Sequence, residues 1–153
     1  MPGRSHAEGD VVATTCIFCD IAAGDVPANV MHRDDRIVAF LDRSPLFLGH
    51  TLVVPVQHVA TLDDLGRDLV GPLFEVVRRT SVAIQRALGA DGTFVAANTR
   101  VSQSVAHVHI HVVPRRTGDG LFSPRVIWKR RAYRNDTEAA EYAEKIRTAL
   151  SEG

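Results

Sequence analysis

The fold is decided by the stretch Val105-Ala106-His107-Val108-His109-Ile110-His111-Val112-Val113-Pro114, in which three imidazoles recur at every second position. Side chains alternate between the two faces of a β-strand, so this period predicts a strand with its histidines on one face. Val108, Ile110 and Val112 then point into a core. Alternate residues stand roughly 7 Å apart, because the rise is about 3.3 Å per residue. This separation suits three separate tasks for the three histidines better than one shared task. Plainer interpretations are a solvated face or a metal site.

Length and charge limit the class of protein. The 153 residues are enough for one domain with a substantial core, and the apolar share of 45% is ordinary for a globular protein. Lys+Arg and Asp+Glu both number 18, so we expect neither nucleic acid nor a membrane as partner. No apolar run approaches the roughly 20 residues of a membrane span, and no signal peptide is visible. A cytoplasmic location is therefore expected.

The remaining strands and turns come from apolar runs between turn residues. Residues 1–13 are polar and glycine-rich, which predicts a disordered leader before a single domain at 14–153. The runs Val30–Arg33 and Ile37–Leu41 predict a hairpin across Asp34-Asp35. Further strands are predicted at 52–55 and 93–98, the latter antiparallel to the histidine strand, and a short extended segment at 126–128.

Two amphipathic helices are predicted. Apolar residues from Leu69 to Leu88 recur at spacings of three and four, and Gly89 ends this helix. Pro72 either begins the helix at its first turn or kinks a longer one, and we favour the first, with a separate short turn near 63–67. A last helix, capped by Asp136-Thr137, presents Ala139, Tyr142, Ile146, Ala149 and Leu150 on one face. This predicts a C-terminal helical extension from about residue 134.

The cysteines and the local basic residues leave alternatives open. Cys16 and Cys19 are the only cysteines, and in a reducing compartment a Cys-x2-Cys pair is more often a metal or redox element than a structural disulfide. Basic residues gather at Arg115-Arg116 and at Lys129-Arg130-Arg131. We interpret them first as solvated surface and second as help for an anionic ligand.

From Gln103-Ser104 through the three histidines to Pro114-Arg115, the sequence closely resembles the histidine-triad nucleotide-binding family. Other elements match in family order: Cys16-Ile-Phe-Cys19-Asp-Ile21, Ile37–Asp42, and Gly49–Pro55 followed by His58. The resemblance covers about residues 14–130. It implies an α+β, HIT-like fold with an antiparallel sheet of about five strands, a long helix packed on it and a C-terminal helix. It also implies a homodimer formed by the helix and a central strand.

The resemblance assigns catalytic roles by position. His109 corresponds to a nucleophile that attacks the α-phosphorus of a nucleotide and forms a nucleotidyl-histidine intermediate. A backbone carbonyl would fix its tautomer, and His50 would support it. His111 would donate to the non-bridging phosphate oxygens, and Ser104 would contact the phosphate or the departing group. Because the third triad position is histidine and not glutamine, the nucleotidylyltransferase branch is disfavoured.

Binding residues are implied in the same way. Asp42 would hold the ribose hydroxyls, although by itself it also fits a turn cap before Ser44-Pro45. Asn98 and Gln103 would supply further polar contacts. The apolar slot for a purine would be formed by Ile17, Phe18, Ile21, Phe40 and Leu41. The loop at 98–103 is shorter than in many members and has no glycine, so amide contacts to phosphate are in doubt there, with Arg100 as an added charge in their place.

A structural zinc ion is also implied. Cys16, Cys19, His58 and His107 are the ligand types that tetrahedral zinc prefers. Spacing alone is weak support, but bacterial members with this cysteine pair bind zinc through such a set, and four protein ligands leave no open position. A redox pair and two free thiols are the alternatives, and no thioredoxin-like context surrounds the cysteines.

Three functions are in competition. The first is a hydrolase that cleaves purine nucleotide conjugates, such as adenosine phosphoramidates, nucleotidyl sulfates or dinucleoside polyphosphates, at the α-phosphate. The second is a dinucleoside polyphosphate phosphorylase, in which phosphate and not water resolves the intermediate. The third is a nucleotide-binding adaptor without catalysis. We favour the hydrolase.

Overall fold

A computed structural model describes residues 16–124 and 129–153. The elements in chain order are α1 (Ile17–Ala23), β1 (Val30–Arg33), β2 (Ile37–Leu41), β3 (Thr51–Pro55), α2 (Arg67–Leu88), β4 (Gly92–Ala96), β5 (Ile110–Arg115) and α3 (Asp136–Ser151). One turn of 3-10 helix, Leu62–Asp64, precedes α2. The leader predicted at 1–13 and the extended segment predicted at 126–128 lie outside the described residues.

The sheet has five strands in the order β1-β2-β3-β5-β4, and every neighbouring pair is antiparallel. The predicted α+β fold is therefore confirmed. In the hairpin between β1 and β2, the Asp34 carboxylate accepts hydrogen bonds from the amides of Arg36 and Ile37, both at 2.8 Å. This side chain holds the turn closed and so sets the register of the first two strands.

Helices cover the two faces of the sheet unequally. Ile37, Ala39 and Leu41 alternate along β2 toward a large core under α2 and α3. Val38 and Phe40 point the other way, toward a smaller core under α1. Because α1 is short, part of this second face stays uncovered, and the histidines lie there.

Helix α2 begins earlier than the sequence predicts. It starts at Arg67, so Pro72 lies inside the helix and not in its first turn. The preferred interpretation of Pro72 was wrong, and the longer helix that contains it is correct. The proline ring cannot donate to the carbonyl of Asp68, but Leu69 and Leu73 are buried on either side of it. Burial of the apolar face therefore outweighs one missing backbone hydrogen bond.

The histidine strand is shorter than predicted. β5 begins at Ile110, so only His111 of the three histidines lies within it. The amide of Val108 donates to the carbonyl of Val59 at 2.7 Å, outside the sheet ladder. His107 and His109 therefore lie on irregular backbone just before the strand, where a fixed period of two no longer sets the direction of their side chains.

The C-terminal helix matches its predicted face but not its predicted cap. Asn135 is the N-cap, and its side chain accepts a hydrogen bond from the Glu138 amide at 2.8 Å. The predicted cap, Asp136-Thr137, forms the first residues of the helix instead. Within the described ranges, no helix is long and apolar enough to cross a membrane.

Candidate functional site

A chain of hydrogen bonds connects the loop at 42–50 to the triad. The Leu46 amide donates to Nδ1 of His50 at 3.0 Å. A backbone N–H can only donate, so Nδ1 of His50 is the lone pair and its Nε2 carries the hydrogen. That hydrogen points to Nδ1 of His111, 2.9 Å away. His111 is thereby left with its own hydrogen on Nε2, as a donor.

Both histidines in this series of hydrogen bonds, His50 and His111, are held neutral. His50 is fully buried. Burial lowers the pKa of His50 to about 2, and the nearby His111 and Arg130 add to the decrease. Burial, followed by the influence of His109 and Arg130, lowers the pKa of His111 to about 4. The tautomers deduced from the hydrogen bonds therefore persist across the neutral pH range.

His109 presents the opposite nitrogen. Its Nδ1 lies 2.7 Å from the main-chain oxygen of His107, so Nδ1 carries the hydrogen and Nε2 is the lone pair. The ring is buried against the edge of the Phe18 ring, with centroids 5.1 Å apart, and lies 5.0 Å from the ring of His111. Neighbouring rings thus offer a nucleophilic nitrogen and a hydrogen-bond donor side by side.

The first triad histidine faces a different group. Nδ1 of His107 lies 3.4 Å from the Cys16 sulfur and 3.5 Å from the Cys19 sulfur, and Nδ1 of His58 lies 3.2 Å from the Cys19 sulfur. The four potential ligand atoms all lie within 4.8 Å of one another. Nε2 of His107 donates to the carbonyl of Pro55 at 2.8 Å, which leaves Nδ1 as the lone pair toward the sulfurs.

Local structure brings the four side chains together. Cys16 is the N-cap of α1, where its sulfur accepts from the Cys19 amide, and Cys19 follows in the first turn. His58 comes just after β3, and His107 just before β5, the neighbouring strand. Burial and the neighbouring Cys16 sulfur raise the pKa of the Cys19 thiol to about 11.

One cavity of about 680 Å³ is bordered by three of the five residues predicted for the purine slot, Ile21, Phe40 and Leu41, and by Asp42. Phe18 packs edge-on against Phe40, with ring centroids 5.3 Å apart. Ile17 is half-buried and packs against the core under α1. Leu41 faces the opposite core from Phe40, because the two are consecutive in β2.

The short loop before the triad is held by its own side chains. Gln103 accepts from the Arg100 amide at 2.9 Å and donates to the Ala60 carbonyl at 2.7 Å, so both ends of its amide group are engaged. Asn98 donates to the Ser102 carbonyl at 3.2 Å. Ser104 is exposed. These bonds support two non-glycine residues at positive φ, Arg100 at 65° and Ser102 at 61°.

The charge of Arg100 is paired with an acidic side chain outside the triad. Its guanidinium pairs with the carboxylate of Asp63 at 3.0 Å, and both side chains are exposed. The expected added charge in this loop is therefore balanced by an acidic partner on the 3-10 turn.

A strap of residues 129–133 crosses the loop at 42–50, and sequence reasoning did not place it at the site. The Arg131 amide donates to the Pro45 carbonyl at 2.7 Å, and Tyr133 accepts from the Gly49 amide at 2.9 Å. Arg130 donates to the Asp42 carboxylate at 3.1 Å. The only signal in the sequence was the basic run at 129–131, for which an anionic ligand was the second interpretation.

Known proteins are similar in sequence to most of this chain. The HIT domain model matches residues 23–118. An adenylylsulfatase of Arabidopsis thaliana is 30% identical over 150 residues, or 97% of this chain and 76% of that protein. An adenosine 5'-monophosphoramidase of Schizosaccharomyces pombe is 33% identical over 103 residues, or 66% of this chain and 74% of that protein.

A solved structure is also similar to most of this chain. The crystal structure of a zinc-bound histidine triad family protein from Mycobacterium smegmatis is 34% identical, with a TM-score of 0.79 over 92% of this chain and 96% of that one. The family model, the relatives and the solved structure each match most of this chain. The chain belongs to the HIT domain family.

Proposed function

We propose that the protein is a hydrolase that cleaves purine nucleotide conjugates at the α-phosphate, with His109 as nucleophile. One observation carries the proposal: the His107 carbonyl accepts from Nδ1 of His109, which leaves Nε2 as a lone pair beside a hydrogen-bond donor on His111. A neutral imidazole in this tautomer is a good nucleophile toward phosphorus. The two relatives named above, an adenylylsulfatase and a phosphoramidase, support this reaction class.

The reaction proceeds in two displacements. Nε2 of His109 forms a bond to the α-phosphorus, and the bond from phosphorus to the leaving group breaks, with its electron pair going to the leaving group. Water then adds to phosphorus, the P–N bond breaks and returns its electron pair to Nε2, and the water proton passes to solvent. The His111 Nε2–H donates to a non-bridging oxygen, where negative charge accumulates in each transition state.

Binding of the nucleoside follows from the cavity. We place the base against Ile21 and Phe40 and the ribose at Asp42, which borders the same cavity and lies 3.7 Å from Nε2 of His50. Ser104 faces the phosphate or the departing group, while the amides of Asn98 and Gln103 shape the loop that carries it. This assigns Gln103 a positioning task in place of direct contact.

The cysteine cluster fits zinc. In a tetrahedral site with Zn–S near 2.3 Å and Zn–N near 2.0 Å, ligand atoms stand about 3.3–3.8 Å apart. Two of the three sulfur–nitrogen contacts, at 3.4 and 3.5 Å, fall in this range, and the third, at 3.2 Å, lies just below it. The bond from His107 to the Pro55 carbonyl is the kind of outer contact that orients a ligating imidazole. Zinc bound here by Cys16, Cys19, His58 and His107 would have a structural role, because no coordination position stays open.

Metal analysis tests the zinc proposal. Protein purified without chelator is expected to contain about one zinc per chain by mass spectrometry of the metal. Less than about a fifth of that, in protein that is folded and has both cysteines reduced, would contradict it.

We also propose a homodimer in which β4 pairs with its copy. β4 is an edge strand, and Val95 on it is exposed. Val70, Phe74 and Val82 are exposed on α2. An edge strand beside an apolar helix face is a typical two-fold interface. Sedimentation should give the dimer mass for the wild type and a monomer for Phe74→Arg, whereas a monomeric wild type would refute the arrangement.

The function itself is tested by product analysis. Wild-type protein is incubated with an adenosine phosphoramidate, adenylyl sulfate and diadenosine tetraphosphate, each with and without inorganic phosphate. Adenosine monophosphate is the expected product, and His109→Ala should reduce its formation by at least about a thousandfold while nucleotide binding survives. Acid-quenched samples should carry adenylate on His109.

The other two functions are outcomes of the same experiment. Formation of adenosine diphosphate in the presence of inorganic phosphate would show that the reaction is phosphorolysis and not hydrolysis. Nucleotide binding without turnover of any of the three substrates would overturn the enzymatic proposal and leave the adaptor.

A further inference from the structure

The most informative group outside the predicted site is the guanidinium of Arg130. Its Nη1 donates to Oδ2 of Asp42 at 3.1 Å and to the carbonyl of Ser44 at 2.9 Å. A guanidinium has five N–H groups, and these two bonds involve Nη1 alone. The hydrogens on Nη2 and Nε stay free of these bonds. The Arg130 side chain is 47% exposed, whereas that of Asp42 is only 15% exposed, so the guanidinium forms the solvent side of the pair.

The position of Arg130 is fixed by its neighbours. The adjacent Arg131 bonds to the Pro45 carbonyl through its amide and to the Leu46 carbonyl through Nε at 3.1 Å. Arg131 also stacks on the ring of Phe47 at 5.0 Å. The backbone at Arg130 is therefore held over the loop at 42–50 by the strap.

Arg130 lies on the side of the triad where the ribose belongs. Oδ2 of Asp42, which it contacts, is 3.7 Å from Nε2 of His50, and His50 in turn contacts His111. Asp42 also borders the cavity that holds Ile21 and Phe40. The guanidinium thus lies beside the carboxylate that borders this cavity, which is the carboxylate that the proposed function places at the ribose.

An arginine neutralises this carboxylate. A lone carboxylate at a ribose site accepts from the hydroxyls and repels a phosphate attached to them, whereas an added arginine accommodates that phosphate. Here Asp42 is paired with Arg130. Arg43 and Asp136 also border the cavity, and their opposite charges balance. Arginine also matches the geometry of phosphate oxygens.

We propose that Arg130 adapts the ribose site to nucleotides that carry a second phosphate on the 2'- or 3'-oxygen. The proposal rests on the proposed function, because that function places the ribose at Asp42. It names the substrate class more closely: adenylyl conjugates phosphorylated on the ribose.

Binding measurements test this directly. Calorimetry compares adenosine 5'-monophosphate with adenosine 2',5'-bisphosphate and adenosine 3',5'-bisphosphate on the wild-type protein. We expect one bisphosphate to bind at least about tenfold tighter than the monophosphate, as one charge-assisted pair provides. The two bisphosphates decide which ribose oxygen carries the phosphate. This comparison needs no variant and so does not depend on the folding of one.

Variants then assign the preference to Arg130. Arg130→Ala should lower the ratio of bisphosphate to monophosphate affinity to below about twofold, and Arg130→Lys should keep part of it. The matched control is Lys129→Ala, which removes one positive charge from the neighbouring exposed residue. The control should keep the wild-type ratio.

Each other outcome overturns the proposal. A wild-type ratio below twofold for both bisphosphates shows that the site does not recognise the extra phosphate. An equal decrease in Lys129→Ala and Arg130→Ala shows general attraction and not a contact. The proposed function is judged separately, by the release of adenosine monophosphate from unphosphorylated conjugates, and it can survive either result.

Discussion

Replacement of His50 by leucine tests whether the hydrogen-bond chain orients His111. His50 is fully buried, accepts from the Leu46 amide and donates to Nδ1 of His111. Leucine fills a similar volume but does neither. Leu46 is itself buried, so its amide would lose its partner away from water, at a cost of about 1–3 kcal/mol in the free energy of unfolding.

The catalytic effect follows from the tautomer of His111. Without a donor at Nδ1, the imidazole of His111 is free to carry its hydrogen on Nδ1 and to present a lone pair to the phosphate. One donor to a developing oxyanion provides about a hundred- to a thousandfold in rate. Since His111 keeps the correct tautomer part of the time, we expect kcat/KM to fall by about 10- to 100-fold.

The assay compares His50→Leu with a variant of similar stability. Ile84→Val shortens a fully buried residue of the main core and should cost about 0.5–1.5 kcal/mol without touching the histidines. Urea denaturation gives the free energies, and turnover of an adenosine phosphoramidate gives kcat/KM. If His50→Leu loses the expected stability but matches the Ile84→Val variant in kcat/KM within twofold, the hydrogen-bond chain does not orient His111.

Three further predictions concern pH, metal and backbone. Because the pKa of His111 is lowered to about 4, the unfolded chain binds a proton at a higher pH than the folded chain does. The free energy of unfolding should therefore decrease as the pH falls from 6.5 toward 4. Urea denaturation should show a smaller slope in this window for His111→Gln, and an unchanged slope would contradict the shift. The Cys19→Ser variant should lose most of its zinc and unfold at a lower temperature. The Ser151→Ala variant, in which an exposed residue is changed, should keep the wild-type zinc content and unfolding temperature. Gly49→Ala should destabilise the protein by roughly 1–3 kcal/mol by calorimetry, since φ is +102° and the added carbon would clash with the Leu88 side chain. Gly71→Ala should not, because its added carbon meets nothing within 4 Å.

The elements that could be predicted are those with local causes. β1 and β2 have the predicted bounds, because apolar β-branched runs are separated by an Asp-Asp turn that closes on its own amides. The end of α2 follows from Gly89, which is in the left-handed conformation that glycine adopts without a steric cost. The four cysteine-cluster residues lie together as the resemblance implied, whereas His50 is bonded to His111, although it was expected to support His109.

Errors arose where distant residues decide. Pro72 predicts a helix start from local preference alone, but burial of Leu69 under the helix extends it backward. The strand at His107 is interrupted by a bond to Val59, which is far away in sequence. The strap at 129–133 had no local signal beyond its charge, since its partners lie at 42–50. Sequence periodicity reports only which neighbours along the chain share a face.

His107 explains why the three histidines of the triad differ although they share one motif. Its imidazole belongs to the cysteine cluster, its Nε2 is bonded to Pro55, and its main-chain oxygen sets the tautomer of His109. The side chain of His107 therefore anchors the peptide group that fixes the tautomer of His109. A group that holds the His107 ring in place also holds the carbonyl beside His109. The order of the motif thus follows from geometry: the anchored residue comes two positions before the histidine whose ring reaches back to its carbonyl, and the donor follows on β5, where His50 can reach it.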